Sequence, residues 1–190
     1  LIWGDVDCEE DFTKLCNYIY PRLRRKEDPF DYENLISYLS AIFPNEQIED
    51  EVRITQIGGM SNKNFKVTKG KQEYVLRVPG NGSDGMVVRS NEEQNSMQAC
   101  KMGINPPVRY FNAKNGIKLA DYVKNAETLN GATIQRPSNM KKIADIFHTL
   151  HHSHVRFGNE FNVFNEILNY EHLLEQCHGT MYDGYEPVRE

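Results

Sequence analysis

The sequence predicts an α+β protein, an antiparallel β-sheet carrying one helix and followed by more helices, and three observations predict it. Between Val52 and Val78, runs of strand-like alternation are separated by Gly58-Gly59 and Lys69-Gly70, the pattern of short antiparallel strands joined by turns. Asn115-Gly116 lies between two further short strand-like runs and is a strong hairpin signal. On either side of this region apolar residues recur at helical spacing.

Taken in order, residues 7–20 read as a helix. Asp7 and Glu10 have capping-box spacing, Phe12, Leu15, Cys16 and Ile19 share a face, and Pro21 with the basic run Arg22-Leu23-Arg24-Arg25-Lys26 ends it. A second helix, residues 31–43, presents Leu35, Ile36, Leu39, Ile42 and Phe43 and stops at Pro44. The acidic stretch 46–51 reads as linker. Strands follow at 52–57, 64–68 and 72–78. In the third, Tyr74, Leu76 and Val78 fall on one face and Val75 and Arg77 on the other, so one face is core and the other is free to line a cleft. A glycine-rich loop at 80–85 leads to a helix reaching Met102, ended by Gly103 and Pro106-Pro107. The hairpin strands are expected at 108–112 and 116–122, helices at 139–153 and 162–177, and an irregular tail at 179–190. No internal repeat or low-complexity tract interrupts this βββαββ-then-helices order.

Composition excludes several function classes. Among 190 residues, 39% are hydrophobic and 26% charged, and no apolar run approaches the length of a membrane span. A net charge of −5 argues against a nucleic-acid surface, and the basic run at 22–26 is short and followed by Glu27 and Asp28. Cys8, Cys16, Cys100 and Cys177 form no Cys-x-x-Cys pair, which suggests neither a zinc site nor a disulfide framework and points to a reducing, cytoplasmic setting. The opening residues Leu1-Ile2-Trp3-Gly4-Asp5 have no initiating Met and no features of a signal peptide, so the chain is expected to begin in mid-protein.

The densest chemistry lies in Ile57-Gly58-Gly59-Met60-Ser61-Asn62-Lys63-Asn64-Phe65, followed by Tyr74-Val75-Leu76-Arg77-Val78. Glycines let a backbone approach an anion, Ser and Asn add hydrogen-bonding groups, and a strand-borne cation downstream neutralises phosphate charge. A nucleoside triphosphate is the natural ligand for such a hairpin. The alternative is an ordinary turn in which Gly supplies positive φ and Ser and Asn bond locally, but it leaves the downstream cation unexplained. His148, His151, His152 and His154 raise a metal question. No Cys, Asp or Glu completes a set locally, and Phe147, Leu150 and His151 suit a helix packing its apolar stripe.

Gly58–Phe65, residues 74–80, Arg89-Ser90-Asn91-Glu92, Gly103-Ile104-Asn105-Pro106, Tyr110-Phe111-Asn112, Asn115-Gly116-Ile117-Lys118 and Leu150-His151 resemble, in that order, the small lobe of the protein-kinase-like superfamily. Within it the chain is most similar to the choline/ethanolamine kinase family in its bacterial form, over roughly residues 52 to 178. The resemblance implies a kinase-like ATP-binding lobe at 52–122 and the first helices of an incomplete large lobe at 123–190, with 26–51 as helix and linker. It implies that Gly58, Gly59, Met60, Ser61, Asn62 and Asn64 cover the ATP phosphates. Arg77 would grip phosphate oxygens with its fixed guanidinium fork, and Val75 would lie against the adenine. Glu92 would pair with Arg77, with Glu93 as competitor; Ser90 and Glu93 have capping-box spacing, so Glu93 is free to cap the helix. Leu119, Ala120 and Asp121 would form the adenine-binding hinge. The alternatives are a surface arginine for Arg77, a solvated carboxylate pair for Glu92 and Glu93, and an edge strand without a ligand for residues 119–121.

Kinases of this family carry a His-x-Asp-x-x-x-x-Asn catalytic loop and a later metal-binding Asp, and neither motif occurs here. The expectation is therefore the ATP- and Mg²⁺-dependent portion of an enzyme that phosphorylates choline or ethanolamine, inactive as this chain alone, with self-association favoured by apolar surface on the incomplete lobe. Two alternatives remain: a non-catalytic nucleotide-binding or interaction module, and a kinase for aminoglycosides. Trp3-Gly4-Asp5-Val6-Asp7-Cys8-Glu9-Glu10-Asp11-Phe12 resembles the closing segment of sugar-phosphate and phosphocholine nucleotidyltransferases. That resemblance would make residues 1–25 the tail of such a domain and Asp7 a Mg²⁺ ligand; helix capping is the alternative role for Asp7.

Overall fold

The computed structural model describes residues 28–48, 52–59, 62–80 and 87–189. The helix expected at 7–20, Asp7, Met60 and Ser61 lie outside the described residues. Helix α1 (Tyr32–Ile42) starts where expected because the Asp31 side chain accepts the Glu33 N–H, satisfying one of the donors that a helix start leaves free. Strands β1 (Val52–Gly58), β2 (Asn62–Lys69) and β3 (Gln72–Pro79) follow, then α2 (Arg89–Lys101), β4 (Val108–Phe111), β5 (Lys118–Asp121), α3 (Pro137–His151), α4 (Val163–Gln176) and α5 (Tyr185–Arg189). The five strands form one sheet in the order β1-β2-β3-β5-β4, each neighbouring pair antiparallel.

The period-two pattern of β3 separates core from cleft as the sequence predicts. Tyr74, Leu76 and Val78 are buried while Val75 and Arg77 are only half-buried. Leu35, Ile36 and Leu39 of α1 cover the buried face, packing with Phe65, Val67, Tyr74, Leu76, Val78 and Leu119. Fully burying a side chain of this size stabilises the fold by about 1.5–3 kcal/mol, so α1 is an integral layer of the sheet domain. Aromatic contacts tie it down, Phe30 to Phe65 at 6.5 Å and Phe43 to Tyr74 at 5.9 Å between ring centroids.

Three expectations are corrected and one is narrowed. Within the expected linker, the described residues 46–48 are tied to the domain: Ile48 is 2% exposed within the core, and Glu46 pairs with Lys69 of β2. One apolar residue in an acidic run has too little periodicity to be recognised, yet it joins the core cluster with the α1 residues. The capping box at Ser90 and Glu93 does not form, because α2 begins two residues earlier, with Val88 at its N-cap and no side-chain cap. The tail at 179–190 contains α5, held by Tyr185 Oη donating to Glu171 Oε1 at 2.8 Å and by Arg189 on both Glu171 oxygens. The apolar stripe of α3 is not packed: no residue of α3 or α4 is buried among the described residues, and Phe147 is 52% exposed. No helix is long and apolar enough to cross a membrane among the described residues.

Candidate nucleotide-binding site

The site is built on the sheet face opposite α1. Register aligns Gly58 of β1 with Asn64 of β2, Asn64 with Arg77 of β3, Arg77 with Lys118 of β5, and Lys118 with Phe111 of β4. Side chains directly opposite one another in paired strands share a face, so a polar row ending in an aromatic ring crosses the sheet. One step along the strands, Val75 aligns with Ala120, giving a small apolar shelf beside the cations.

Arg77 is the centre of this row. Its Nη1 donates to Glu92 Oε1 on α2, its Nη2 donates to the Gly116 carbonyl at 2.9 Å, and its guanidinium carbon lies 5.6 Å from the Phe111 ring centroid. The Nε is buried and has no hydrogen-bond partner among the described residues. A buried donor left without an acceptor costs about 1–3 kcal/mol, and a phosphate oxygen is an acceptor of the right charge to relieve it. Arg77 is thus fixed by its tips with a donor in reserve.

Glu92 is the carboxylate that the structure brings to Arg77. Burial pushes its carboxyl pKa up, but hydrogen bonds from Arg77 and Arg89 outweigh burial and hold it below the ordinary glutamate value. Lys118, half-buried in the same row, has its ammonium pKa lowered by burial and then by the adjacent Arg77 charge, with Glu92 opposing only in part. Two guanidinium groups and an ammonium around one carboxylate leave a surplus of positive charge, suited to an anionic ligand.

The loop between β1 and β2 is shaped by glycine. Gly58 and Gly59 have φ of 134° and 122°, and a Cβ at Gly59 would overlap the Asn62 carbonyl. Asn62 Oδ1 is buried without a hydrogen-bond partner among the described residues. The two glycines present no side chain to a ligand, as close approach of backbone to an anion requires.

Leu119, Ala120 and Asp121, the residues expected at the hinge, fall within the sheet. All three lie in β5, between β3 and β4, with Leu119 wholly buried on the α1 side. Leu119 and Ala120 are paired with residues on both sides, and the Asp121 N–H donates to Pro107 at 2.9 Å. The Asp121 carboxylate is held by Arg109 Nε at 2.7 Å and Nη2 at 2.6 Å, on the same face as Tyr74 and away from Arg77. Tyr122 N–H donates to Glu73, so Val123, half exposed, is the first residue past the sheet end whose N–H is not committed to a described residue.

Sequence reasoning gave Arg89, Gly116 and Lys118 no individual role beyond the motifs that carry the resemblance, and missed Lys66, which pairs with Glu73 at 2.5 Å and lies 4.2 Å from the Tyr122 ring centroid. Lys118 shares the alternation that places Ala120 in the cleft, and that signal was available once β5 was aligned with β3. Arg89 and Gly116 depend on the approach of α2, which no local pattern encodes. Among the described residues no three His, Cys, Asp or Glu side chains gather to hold a metal ion; His148 stacks on His152 at 4.1 Å instead. Glu92 is already bound by two arginines.

An antiparallel sheet whose third strand presents a cation to a carboxylate on the following helix, with further helices after the fifth strand, is the protein-kinase-like small-lobe architecture. Residues 54–187 match the model of the choline/ethanolamine kinase family, and the chain belongs to that family. It is 28% identical over 146 residues to Protein LicA of Haemophilus influenzae, covering 74% of this chain and 43% of the relative. It superposes on the crystal structure of choline kinase LicA from Streptococcus pneumoniae with a TM-score of 0.69 at 29% identity, covering 83% of this chain and 52% of that one. A crystal structure of LicA in complex with AMP matches with a TM-score of 0.66 at 29% identity, over 82% of this chain and 53% of that one. The chain therefore spans about half the length of the relatives it matches.

Proposed function

We propose that this chain is the ATP-binding portion of a choline/ethanolamine kinase-like phosphotransferase. The carrying observation is Arg77, anchored at both Nη atoms, with its Nε left buried and unpartnered beside the Val75–Ala120 shelf. The adenine would lie on that shelf, with main-chain groups near Val123 at its edge. The glycine turn and Arg77 would hold the phosphates. A structure of LicA to which the chain is similar is a complex with AMP, which supports nucleotide binding by a chain of this fold. Mg²⁺ would accompany the triphosphate, bound by its oxygens and by ligands outside the described residues.

In the complete enzyme the hydroxyl oxygen of choline or ethanolamine attacks the γ-phosphorus as the bond to the β–γ bridging oxygen breaks. ADP leaves, and the hydroxyl proton passes to a base. Arg77 and the glycine turn orient the phosphates for in-line transfer and stabilise their charge. The base would come from the part of the relatives' length that this chain does not span, since no His-x-Asp-x-x-x-x-Asn motif occurs in it. That same observation favours a second reading for the chain taken alone, a module that binds nucleotide without turnover.

Calorimetric titration with ATP, ADP and adenosine tests the site; saturable ATP binding stronger than adenosine binding is expected, and no ATP binding refutes the proposal. Assays of the complete protein with choline, ethanolamine and an aminoglycoside then decide the acceptor. Phosphorylation of the aminoglycoside alone would refute the amino-alcohol assignment.

A further inference from the structure

Arg89 sits where helix physics disfavours it. A cation in the first turn opposes the helix macrodipole, and Val88 ahead of it provides no side-chain cap. Arg89 is nonetheless the buried residue of α2, only 8% exposed. Its guanidinium lies against Gly116, where a Cβ would stand 2.8 Å from Arg89 Nε and 2.9 Å from Cζ. Gly116 also has a φ of 70°, so both its backbone and its missing side chain are required. The carbonyl of the same glycine accepts the Arg77 Nη2 bond at 2.9 Å, and Arg89 Nη1 donates to Glu92 Oε2 at 3.0 Å while Arg77 holds Oε1. The two arginines therefore share a carboxylate and a glycine.

We infer that Arg89 is a positioning residue that, through Glu92 and Gly116, fixes the Arg77 guanidinium in its phosphate-binding orientation before nucleotide arrives. The inference rests on the ATP-site reading. A glutamate held by Arg77 alone is free to swing with it. A second guanidinium on the other oxygen locks the carboxylate plane, so the ordering entropy is lost on folding and not on binding. Arg89 needs no contact with the ligand to do this.

The test compares wild type, Arg77→Met, Arg89→Met, Arg89→Lys and the Arg77→Met/Arg89→Met pair, titrated with ATP and with adenosine and melted by circular dichroism. Arg89→Met is expected to weaken ATP binding roughly tenfold, about 1.4 kcal/mol, and to leave adenosine binding unchanged. In the double variant it should add little to Arg77→Met, because coupled residues are not additive. Lys at this position should restore only part, since an ammonium cannot reproduce the planar fork. Additive losses, or equal losses for ATP and adenosine, overturn the inference. Should Arg89→Met fail to fold, Gly116→Ala displaces the same guanidinium, and unchanged ATP affinity in that variant overturns the inference as well. A wild-type chain that binds no ATP overturns the nucleotide reading and this inference with it, whereas ATP binding with additive variants overturns this inference alone.

Discussion

Replacing Arg77 with Met removes a positive charge whose side chain is 12% exposed and leaves two acceptors short of a donor, Glu92 Oε1 and the Gly116 carbonyl. Breaking a buried ion pair outright costs about 3–5 kcal/mol. The figure here is smaller, because Glu92 is 21% exposed and keeps Arg89 on its second oxygen; about 1–2 kcal/mol is expected, a fall in melting temperature of roughly 2–8 °C for a domain of this size. Methionine keeps most of the aliphatic volume, so no large cavity opens. The effect on ligand binding is separate. Losing one charge-assisted phosphate contact is worth about 2 kcal/mol, or roughly thirtyfold in ATP affinity, with adenosine affinity unchanged. Thermal melts and paired titrations with ATP and adenosine measure the two effects independently. A lowered melting temperature with unchanged ATP affinity would refute the phosphate role and leave Arg77 a structural arginine.

Other perturbations separate turn, charge and core. Gly59→Ala should distort the β1–β2 turn and weaken ATP binding more than Gly58→Ala, because both have positive φ but only a Cβ at Gly59 strikes backbone; equal effects in ATP titrations would contradict this. Lys118→Met should raise the melting temperature at neutral pH by relieving a half-buried cation. Because the folded-state pKa of Lys118 is lowered, its penalty is full while it is charged in both states and is relieved as pH rises through the folded pKa towards the unfolded one. The gain from Lys118→Met should therefore shrink at alkaline pH, and melts of both proteins across that range would expose a constant difference. Ile48→Ala should destabilise by about 2–4 kcal/mol, since Ile48 is 2% exposed in the core; a change under half that in chemical denaturation would show that α1 is not anchored there.

Local chemistry explains what the sequence made legible. β3 was readable because alternation of Tyr74, Leu76 and Val78 with Val75 and Arg77 is dictated by the pleat, and α1 because Asp31 caps a regular apolar stripe. Arg77 and Glu92 could be paired through the order of motifs, and the structure brings their side chains together. What escaped depends on long-range approach. Arg89 faces Gly116 from another element, and Ile48 reaches the core from an acidic run. The hinge expectation for Leu119, Ala120 and Asp121 rested on the order of motifs alone, because so short a strand does not reveal whether both its edges are paired; β5 lies between β3 and β4. The capping-box pattern at Ser90 and Glu93 gave way to the interactions of Arg89 and Glu92 just ahead of them, a tertiary demand overriding a local motif.

The alternation along β3 also determines how this strand tolerates change. Tyr74, Leu76 and Val78 face the α1 layer, while Val75 and Arg77 face the cleft with backbone in common. A drift in core packing therefore cannot slide the strand by one residue, because the slip would put Leu76 in the cleft and Arg77 in the core. Register errors are thus coupled to loss of ligand binding, so selection for either property polices the other. A substitution on one face perturbs that face first, whereas an insertion or deletion of a single residue in β3 would damage core and site together.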